Sequence, residues 1–381
     1  MKGRLARILG ATLLLARVAS SERPGEGPRA REGAEPEFRV GGYVEAFYQY
    51  NANQPSNHLT NLRDFDARSD TFALSNAALE GEAEIGRVSA RLALQYGLTP
   101  AAYISPRDRE FSWIEVVYAG FLAPIGRGLL TEGGIFLSPL GMEDLAVKDE
   151  WNWSRSNVWT LLPTYHAGAR SSYRLSDQAF VQLAVYNGWN DITGADGNKS
   201  VALLYSARLA RSLKLTAMYM GGLERPAGAP EGKPWRHLWD AFAEIALTSR
   251  LDAIVYTDFG VEPNAFGTAG WSAGALYGRV RAADWLFFAG RADAFFEKRA
   301  TSASGTSTPI FTNARWIDTF TLTADFRPVE HASIRLEGRH DLAATSLYYA
   351  GQVTGDGSSA HPYLPNARAQ DTLTLGMTVW F

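Results

Sequence analysis

The last eleven residues of the chain, 371–381, alternate between two kinds of side chain. Large apolar side chains occupy every second position from Leu373 to Phe381, while Thr and Gly fill the positions between them as far as Thr378. Because successive side chains of a β-strand point to opposite faces, one face of this strand is wholly apolar and the other is small and polar. That division is typical of a strand that crosses a bilayer, with lipid on one side and a wet lumen on the other.

A period of two continues through the chain from Phe38 onward and predicts strands rather than helices. In the stretch 332–342, Arg335, Glu337 and Arg339 face one way and Leu336 faces the other. Rows of charge on so many successive strands do not suit a sheet half buried in a soluble core. Sixteen candidate strands lie near residues 38–50, 71–85, 87–97, 111–121, 129–137, 160–175, 178–188, 199–210, 212–222, 237–248, 251–259, 270–281, 284–297, 315–326, 332–342 and 370–381.

The connections between these strands alternate between short and long. Seven are short turns, and eight are longer polar loops near residues 51–70, 98–110, 138–159, 189–198, 223–236, 260–269, 298–314 and 343–369. Transmembrane barrels have this arrangement, with tight periplasmic turns, long external loops and an even number of strands. The sequence therefore predicts an all-β protein, a transmembrane antiparallel up-and-down β-barrel of about sixteen strands with both chain ends in the periplasm.

The chain divides into three parts along its length. Residues 1–20 have the positive start, short apolar segment and small-residue end of a secretory signal peptide. Residues 21–37 form a flexible leader rich in Pro, Gly and charge, and residues 38–381 form the barrel. No stretch reaches the roughly 18 consecutive apolar residues that a spanning helix needs. If the mature protein enters a membrane, we expect it to do so as a barrel.

Composition argues against several classes of function. The chain has no Cys, which rules out thiolate metal sites, and its six His residues are scattered without the spacing of metal ligands. A net charge of -3 without a basic patch argues against a nucleic-acid partner. A G-x-S-x-G match at residues 270–274 lies in an extended pattern instead of preceding a helix, so it predicts no catalytic serine. We expect no enzyme activity, no metal and no cofactor.

The third long loop, residues 138–159, carries the most distinctive motif. Its order of residues is Pro139, Leu140, Gly141, Met142 and Glu143, then Asn152, Ser154, Arg155 and Ser156. This order resembles the OmpL-like β-barrel porins, the beta-barrel porin-2 group, although Met142 stands where an aromatic residue is usual. The resemblance implies a channel-forming protein of the outer membrane. We expect a porin whose water-filled channel lets small hydrophilic solutes diffuse passively.

The end of the chain carries a second resemblance. A terminal Phe on an alternating apolar strand, here Phe381, is similar to the C-terminal signature of outer-membrane barrel proteins of Gram-negative bacteria. The resemblance implies that the barrel-assembly machinery recognises Phe381 and that the protein lies in the lipid bilayer of the bacterial outer membrane. The sequence leaves open whether copies of the chain form a homo-oligomer.

Charged residues of the third loop and of two strands are the candidate pore-lining residues. In general porins this loop narrows the lumen, and by that analogy residues 138–159 are the candidate constriction. The residues that would set charge selectivity are Glu143, Asp144, Lys148, Asp149, Glu150, Arg155, Arg170, Arg174, Arg335, Glu337 and Arg339. A second interpretation is that Glu143 and Arg155 pin the loop to the barrel wall through charge-assisted hydrogen bonds.

Two other classes of function stay open. A barrel enzyme of the protease, lipase or deacylase type needs Ser/His or Asp/His groups that converge at one rim. His340 and Asp341 are adjacent on one predicted strand and therefore point to opposite faces. The other alternative is a plugged structural barrel or adhesin. Aromatic residues near strand ends suit either interfacial girdles or core filling, namely Trp159, Tyr186, Trp189, Trp271, Trp285, Trp316 and Tyr348.

Overall fold

The computed structural model of the protein describes residues 36–194 and 197–381. The predicted signal peptide, 1–20, and the predicted leader as far as residue 35 lie outside the described residues. Glu37, the last residue of the predicted leader, is already the first residue of a strand. Within the described ranges, no helix has both the length and the apolar character to cross a membrane.

One closed antiparallel barrel of sixteen strands makes up most of the described chain. Its strands are β1 (Glu37–Asn51), β2 (Phe72–Ile85), β3 (Val88–Gly97), β4 (Ile114–Ala123), β5 (Leu129–Leu137), β6 (Tyr165–Arg174), β7 (Ala179–Tyr186), β8 (Ser200–Ala210), β9 (Leu213–Leu223), β10 (Trp235–Ala246), β11 (Leu251–Asn264), β12 (Gly267–Ala283), β13 (Leu286–Lys298), β16 (Trp316–Val329), β17 (Ala332–Ala343) and β18 (Ala369–Trp380). Strands adjacent in this order pair with each other, and β1 closes the ring against β18. The predicted fold class is confirmed.

Smaller elements lie in the long connections. The strands β14 (Thr301–Ser302) and β15 (Gly305–Thr306) form a separate hairpin between β13 and β16. Two short α-helices are α1 (Leu98–Tyr103) and α2 (Asn157–Leu161), and two 3-10 helices span Pro106–Phe111 and Val147–Asp149.

The structure corrects two predicted boundaries, and a proline lies at each. The predicted loop 260–269 is a two-residue turn, because β11 continues to Asn264 and β12 begins at Gly267. Pro263 is tolerated there because β10 pairs with β11 only as far as Val261, which leaves that edge of β11 free. The predicted strand 160–175 contains the end of α2, and β6 starts at Tyr165, two residues after Pro163.

The strand alternation separates an apolar outer surface from a tightly packed interior. On β17, Leu336 is 49% exposed, whereas the neighbouring Arg335 and Glu337 are each 1% exposed. On β18, Leu375 is likewise 49% exposed and Thr374 only 1% exposed. The outer side chains therefore form the surface that contacts lipid, and the inner ones line or fill the lumen.

Aromatic residues near the strand ends divide between these two surfaces. Trp285 is exposed on the outside, but Trp159, Tyr186, Trp271 and Tyr348 are buried in the interior. For Tyr186 and Trp271, which lie within strands, the position along the strand decides the face, because one step along a strand exchanges the two faces. Trp159 and Tyr348 are buried because they lie in connections that pack into the interior. Proximity to a strand end therefore did not identify the interfacial girdle.

The end of the chain lies at the seam between the first and last strands. The backbone N–H of Phe381 donates a 3.0 Å hydrogen bond to the carbonyl of Gly42 in β1. A Cβ atom on Gly42 would lie 2.9 Å from the Phe381 ring, so the absence of a side chain at residue 42 makes room for that ring. Phe381 thus extends the pairing that closes the barrel.

Candidate functional site

The third long connection, residues 138–164 between β5 and β6, lies inside the barrel. Its apolar side chains are almost completely buried, although the segment is not part of the sheet; they are Leu140, Met142, Leu145, Val147, Trp151, Trp153, Val158, Trp159 and Leu162. Ser156 caps the short helix α2 by accepting a hydrogen bond from the N–H of Trp159. We call this segment the luminal loop.

One side of the luminal loop packs on an apolar part of the barrel interior. The lumen faces of β7 to β12, which we call the apolar wall, contribute Phe180, Ala184, Ala202, Leu204, Met218, Met220, Leu238, Phe242, Ile254, Tyr256, Ala273, Ala275 and Tyr277. These side chains form one cluster with Leu140, Met142, Trp151 and Val158 of the loop. Burial against the loop explains why this part of the barrel interior is apolar.

The opposite side of the loop is held by charged and polar groups. The lumen faces of β13, β16, β17, β18 and β1, which we call the charged wall, contribute Glu45, Arg291, Asp293, Thr319, Thr321, Thr323, Arg335, Glu337, Arg339, Thr372 and Thr374. A loop that passes through a closed interior has backbone N–H and C=O groups that need partners. The charged wall supplies many of them.

Arg335 and Glu337 bind the backbone of the luminal loop from neighbouring positions on one strand. Arg335 donates 2.7 Å hydrogen bonds to the carbonyls of Val147 and Glu150. Glu337 accepts hydrogen bonds from the N–H groups of Trp153 at 2.5 Å and Ser154 at 2.9 Å. The two side chains therefore recognise carbonyl and amide groups within one short stretch of the loop.

Glu143 and Arg155 hold the luminal loop in its own shape. Glu143 accepts hydrogen bonds from the backbone N–H and the hydroxyl of Ser156 and forms a 3.1 Å ion pair with Arg291. Arg155 donates to the carbonyls of Asp144, Leu145 and Trp153 within the loop, at 2.6 to 2.7 Å. These contacts correspond to the pinning interpretation, although Arg155 ties the loop to itself and not to the wall.

The other candidate loop residues point in different directions. The N–H of Asp144 donates to a carboxylate oxygen of Glu150, and this hydrogen bond closes the turn between the two residues. Lys148 and Asp149 form a 2.7 Å ion pair at the tip of the loop, where Asp149 keeps 22% of its side chain exposed. Arg339 donates to the carbonyl of Arg155, so it is the third residue of β17 that contacts the loop.

Two candidate residues on β6 do not join this group. Arg170 forms a 2.8 Å ion pair with Glu132, and its guanidinium lies over the ring of Phe136 at 4.1 Å. Arg174, nearer the short-turn end, donates to the carbonyl of Asp177. Both side chains lie on the part of the barrel that separates the apolar wall from the charged wall. Their strand, β6, is distant from β17 in the strand order.

Several residues that hold the luminal loop were missed in the sequence. Asp293 accepts from the N–H of Asn157 at 3.0 Å, and Glu45 accepts from the N–H of Val147 at 2.5 Å. Asn152 donates to the hydroxyl of Thr323. A usable signal was present, because Glu45 and Asp293 are charged residues at the middle of predicted strands, on the face opposite to the apolar one.

A glycine on the charged wall makes room for the deepest aromatic side chain of the loop. Gly376 faces the lumen on β18, and a Cβ atom there would lie 2.2 Å from the Trp153 ring. Trp153 is 1% exposed and also contacts Phe47 of β1. The ring therefore fills the place of a wall side chain.

External loops pack over the luminal loop. Phe65, in the connection from β1 to β2, lies with its ring 5.4 Å from that of Trp159, and the Arg155 guanidinium lies 4.8 Å from the same Phe65 ring. Beside it, burial and the neighbouring Asp66 raise the pKa of Asp64 to about 6, against a hydrogen bond from Thr160 that lowers it. The luminal loop is thus covered from the outside.

Two Asp/His or Ser/His pairs among the described residues bear on the alternative of a barrel enzyme. Asp341 is buried in the lumen, whereas His340 faces outward and lies 2.8 Å from Asp371. Ser138 and His166 are within hydrogen-bond distance at 3.1 Å, but the cavity beside Ser138 encloses only about 20 Å³, room for about one water molecule. Among the described residues no cluster of three or more His, Asp or Glu side chains is arranged to hold a metal ion.

The fold and the luminal loop can be compared with known proteins. The family described as "Putative beta-barrel porin-2, OmpL-like" matches residues 37–381. The chain belongs to this family. It is an outer-membrane β-barrel porin, and the family predicted from the motif in the third loop is confirmed. No curated protein matches the chain.

Solved structures share the fold of this porin at low sequence identity. OmpT of Vibrio cholerae in its trimer form has a TM-score of 0.60 at 10% identity, covering 91% of this chain and 100% of that one. OmpT expressed in the outer membrane of the same organism has a TM-score of 0.58 at 10% identity, covering 93% and 100%. An anion-selective porin from Comamonas acidovorans has a TM-score of 0.59 at 8% identity, covering 91% and 100%.

Proposed function

We propose that the luminal loop is the constriction of this porin and that small hydrophilic solutes diffuse past it. The observation that carries the proposal is the attachment of the loop backbone to Arg335 and Glu337 in the middle of the barrel interior. A barrel of about sixteen strands leaves an aqueous channel unless something narrows it. A loop fixed between two walls determines how much of that channel remains.

Partly exposed charged side chains on the lumen faces support a hydrophilic route. They lie nearer the short-turn ends of the strands than the luminal loop does, and they include Glu82, Lys214, Glu244, Arg279 and Arg327. Both signs of charge are present, and most of these groups are paired, for example Lys214 with Glu244 at 3.2 Å. We therefore propose weak charge selectivity, because paired charges leave little net field for a passing ion.

Removal of the loop tip tests the constriction. We expect deletion of residues 145–151 to raise single-channel conductance in planar bilayers and to admit larger sugars in liposome-swelling measurements. A matched control is deletion of residues 301–306, the exposed hairpin of β14 and β15, which lies outside the interior. Equal conductance for the wild type and the 145–151 deletion would place the narrowest point elsewhere.

Arg155→Ala separates pinning from pore lining. Loss of three hydrogen bonds to loop carbonyls should make the open-channel current noisier, because the loop samples more positions. A shift toward cation selectivity without added noise would instead assign Arg155 to the pore lining. If the wild-type protein gives no conductance steps while the 145–151 deletion variant conducts, the barrel is plugged.

We propose further that Phe381 is the signal for barrel assembly. Its contact with Gly42 joins the last residue to the first strand, so its loss affects both recognition and closure. Deletion of Phe381 should lower the amount of heat-modifiable protein in outer membranes, whereas truncation of the exposed loop residue Ser358 to Ala should not.

The oligomeric state of the porin is a separate question. The mass of the purified wild-type protein in detergent answers whether the porin is a homo-oligomer.

A further inference from the structure

A hollow of about 740 Å³ lies at the external end of β11, β12 and β13, away from the luminal loop. Its exposed lining comes from outward-facing positions: Thr268, Gly270 and Ser272 on β12, and Phe296 and Lys298 on β13. Cross-strand pairing places Gly270 beside Lys298 and Ser272 beside Phe296. Because residues 270 and 272 have little or no side chain, the outer surface is recessed there. The volume is in the usual range for a ligand site.

Three exposed cations surround this hollow: Lys298, Arg299 and Arg315. None of their side chains forms an ion pair or a hydrogen bond with another of the described residues. The carboxylate in the lining, Glu297, is turned inward and accepts hydrogen bonds from the N–H groups of Ile310 and Thr312. The cations therefore present a positive charge that the protein does not neutralise.

The register of the strands gives the level of the hollow relative to the bilayer. On β16, Phe320 and Leu322 are half exposed and belong to the lipid-facing surface, and Phe320 pairs with His340, a polar outward residue. Phe296 pairs with Trp316, four residues beyond Phe320 in the external direction. Four residues of a tilted strand rise roughly 10 Å, so the hollow lies about that far to the external side of Phe320, toward the lipid headgroups. Phe296 is 49% exposed and extends the apolar surface up to the cations.

We propose that this hollow binds the phosphate-bearing headgroup of a lipid in the outer leaflet. The guanidinium and ammonium groups of Arg315, Arg299 and Lys298 match phosphate oxygens in charge and hydrogen bonding. Phe296, directly below them on the membrane side, contacts the first part of an acyl chain. Ser272 and Thr268 offer hydroxyl groups to polar headgroup atoms. This combination of cations above an apolar side chain distinguishes a lipid from a free anion.

The test compares two variants that remove the same charge from the full-length porin. Lys298→Ala/Arg315→Ala removes two cations from the hollow, and Arg211→Ala/Arg250→Ala removes two exposed cations from the short turns at the opposite end. Each protein is reconstituted into nanodiscs that contain lipid A in a neutral lipid, and retained lipid A is measured by native mass spectrometry after detergent extraction. We expect at least a tenfold loss of retention for the first variant and none for the second.

A third variant changes the shape of the hollow without changing its charge. Ser272→Trp fills the recess and should also reduce lipid A retention, while circular dichroism and heat modifiability report that each variant is folded. Wild-type retention of lipid A by Lys298→Ala/Arg315→Ala overturns the proposal. Displacement of bound lipid A by millimolar inorganic phosphate also overturns it, because the site would then recognise a free anion.

Discussion

The apolar wall and the charged wall face each other across the same loop but hold it in different ways. Against β7 to β12, contact is made by aliphatic and aromatic groups such as Leu204 and Met220, which have no preferred partner atom. Against β17, Arg335 and Glu337 contact named backbone atoms of the loop. Apolar burial is proportional to area and non-directional, whereas hydrogen bonds to charged groups fix distance and orientation.

This difference indicates a division of labour between the two walls. The apolar side chains of this wall favour burial of the loop without selecting one register, because apolar burial is non-directional. The charged wall selects one register, since a shift would leave Arg335 and Glu337 buried without their partners on the loop. We infer that β17 sets the position of the luminal loop and that the apolar wall supplies most of the apolar area that the loop buries.

Truncation on the charged wall should produce the largest effect. Arg335→Ala leaves the carbonyls of Val147 and Glu150 without their cationic donor. We expect a loss of about 3–5 kcal/mol in unfolding free energy, measured by urea unfolding in lipid vesicles, together with irregular channel currents. Leu336→Ala, one residue away on the lipid side, is the control. Similar losses for both variants would remove the distinction between the two surfaces.

Truncation on the apolar wall should cost somewhat less and leave the channel regular. Leu204 is 1% exposed inside the barrel, and Leu204→Ala should lower stability by about 3 kcal/mol through the cavity it creates. Because the hydrogen bonds of the charged wall remain, we expect conductance steps of unchanged size. The matched variant is Leu203→Ala, which removes the same group from the lipid face. Irregular currents in Leu204→Ala would show that the apolar wall also sets the register.

A methyl group placed on the charged wall should have a smaller effect on stability. Gly376→Ala puts a Cβ atom where the Trp153 ring lies, and overpacking of this kind costs about 1–3 kcal/mol. We expect conductance to rise because the ring and the loop are pushed off the wall. Gly338→Ala, on the neighbouring strand with no atom within 4 Å of the added carbon, is the control. A current identical to wild type in Gly376→Ala would mean that Trp153 moves without the loop.

An effect that depends on pH is expected outside both walls, at Asp64 in the external cover. Its pKa in the folded protein, about 6, lies above the value of an unfolded carboxyl, roughly 3.9. Between these values the folded state binds more protons, so the contribution of Asp64 to stability falls as pH rises from about 4 to 6. Asp64→Asn should therefore gain stability relative to wild type across this window and keep a constant difference above it. A difference independent of pH would contradict the raised pKa.

The strands were predictable because a period of two is a local property of the sequence. The register of β17, with Leu336 outside and Arg335 inside, follows directly from alternation. The apolar wall also left a signal that was not used. In β8 the run from Val201 to Tyr205 is apolar at every position, and such runs indicate a strand buried on both faces. The apolar lumen face of β8 therefore indicated that another segment of the chain covers it inside the barrel.

The partners of the loop were not predictable from spacing. Trp153 and Glu337 are 184 residues apart, and no local pattern pairs a given loop amide with a given strand carboxylate. Analogy placed the third loop in the lumen, and Glu143 and Arg155 were found through the motif. The proximity of the loop to Arg291, Asp293 and Glu45 arises only when the barrel closes, so the sequence alone does not show it.

The long separation between the luminal loop and β17 also has a consequence for the order of events during biogenesis. The loop is synthesised and threaded before any residue of β16, β17 or β18 is available to bind it, so the backbone groups that contact Arg335 and Glu337 lack these partners until the final strands arrive. Contacts of such high sequence separation form late, because the closure entropy of the intervening chain must be overcome first. We therefore expect a nascent barrel that is wide and leaky and that narrows only in its last step, when β18 meets β1. Trp153 would reach Gly376 at that moment, so a change in the fluorescence of Trp153 would report when the barrel closes.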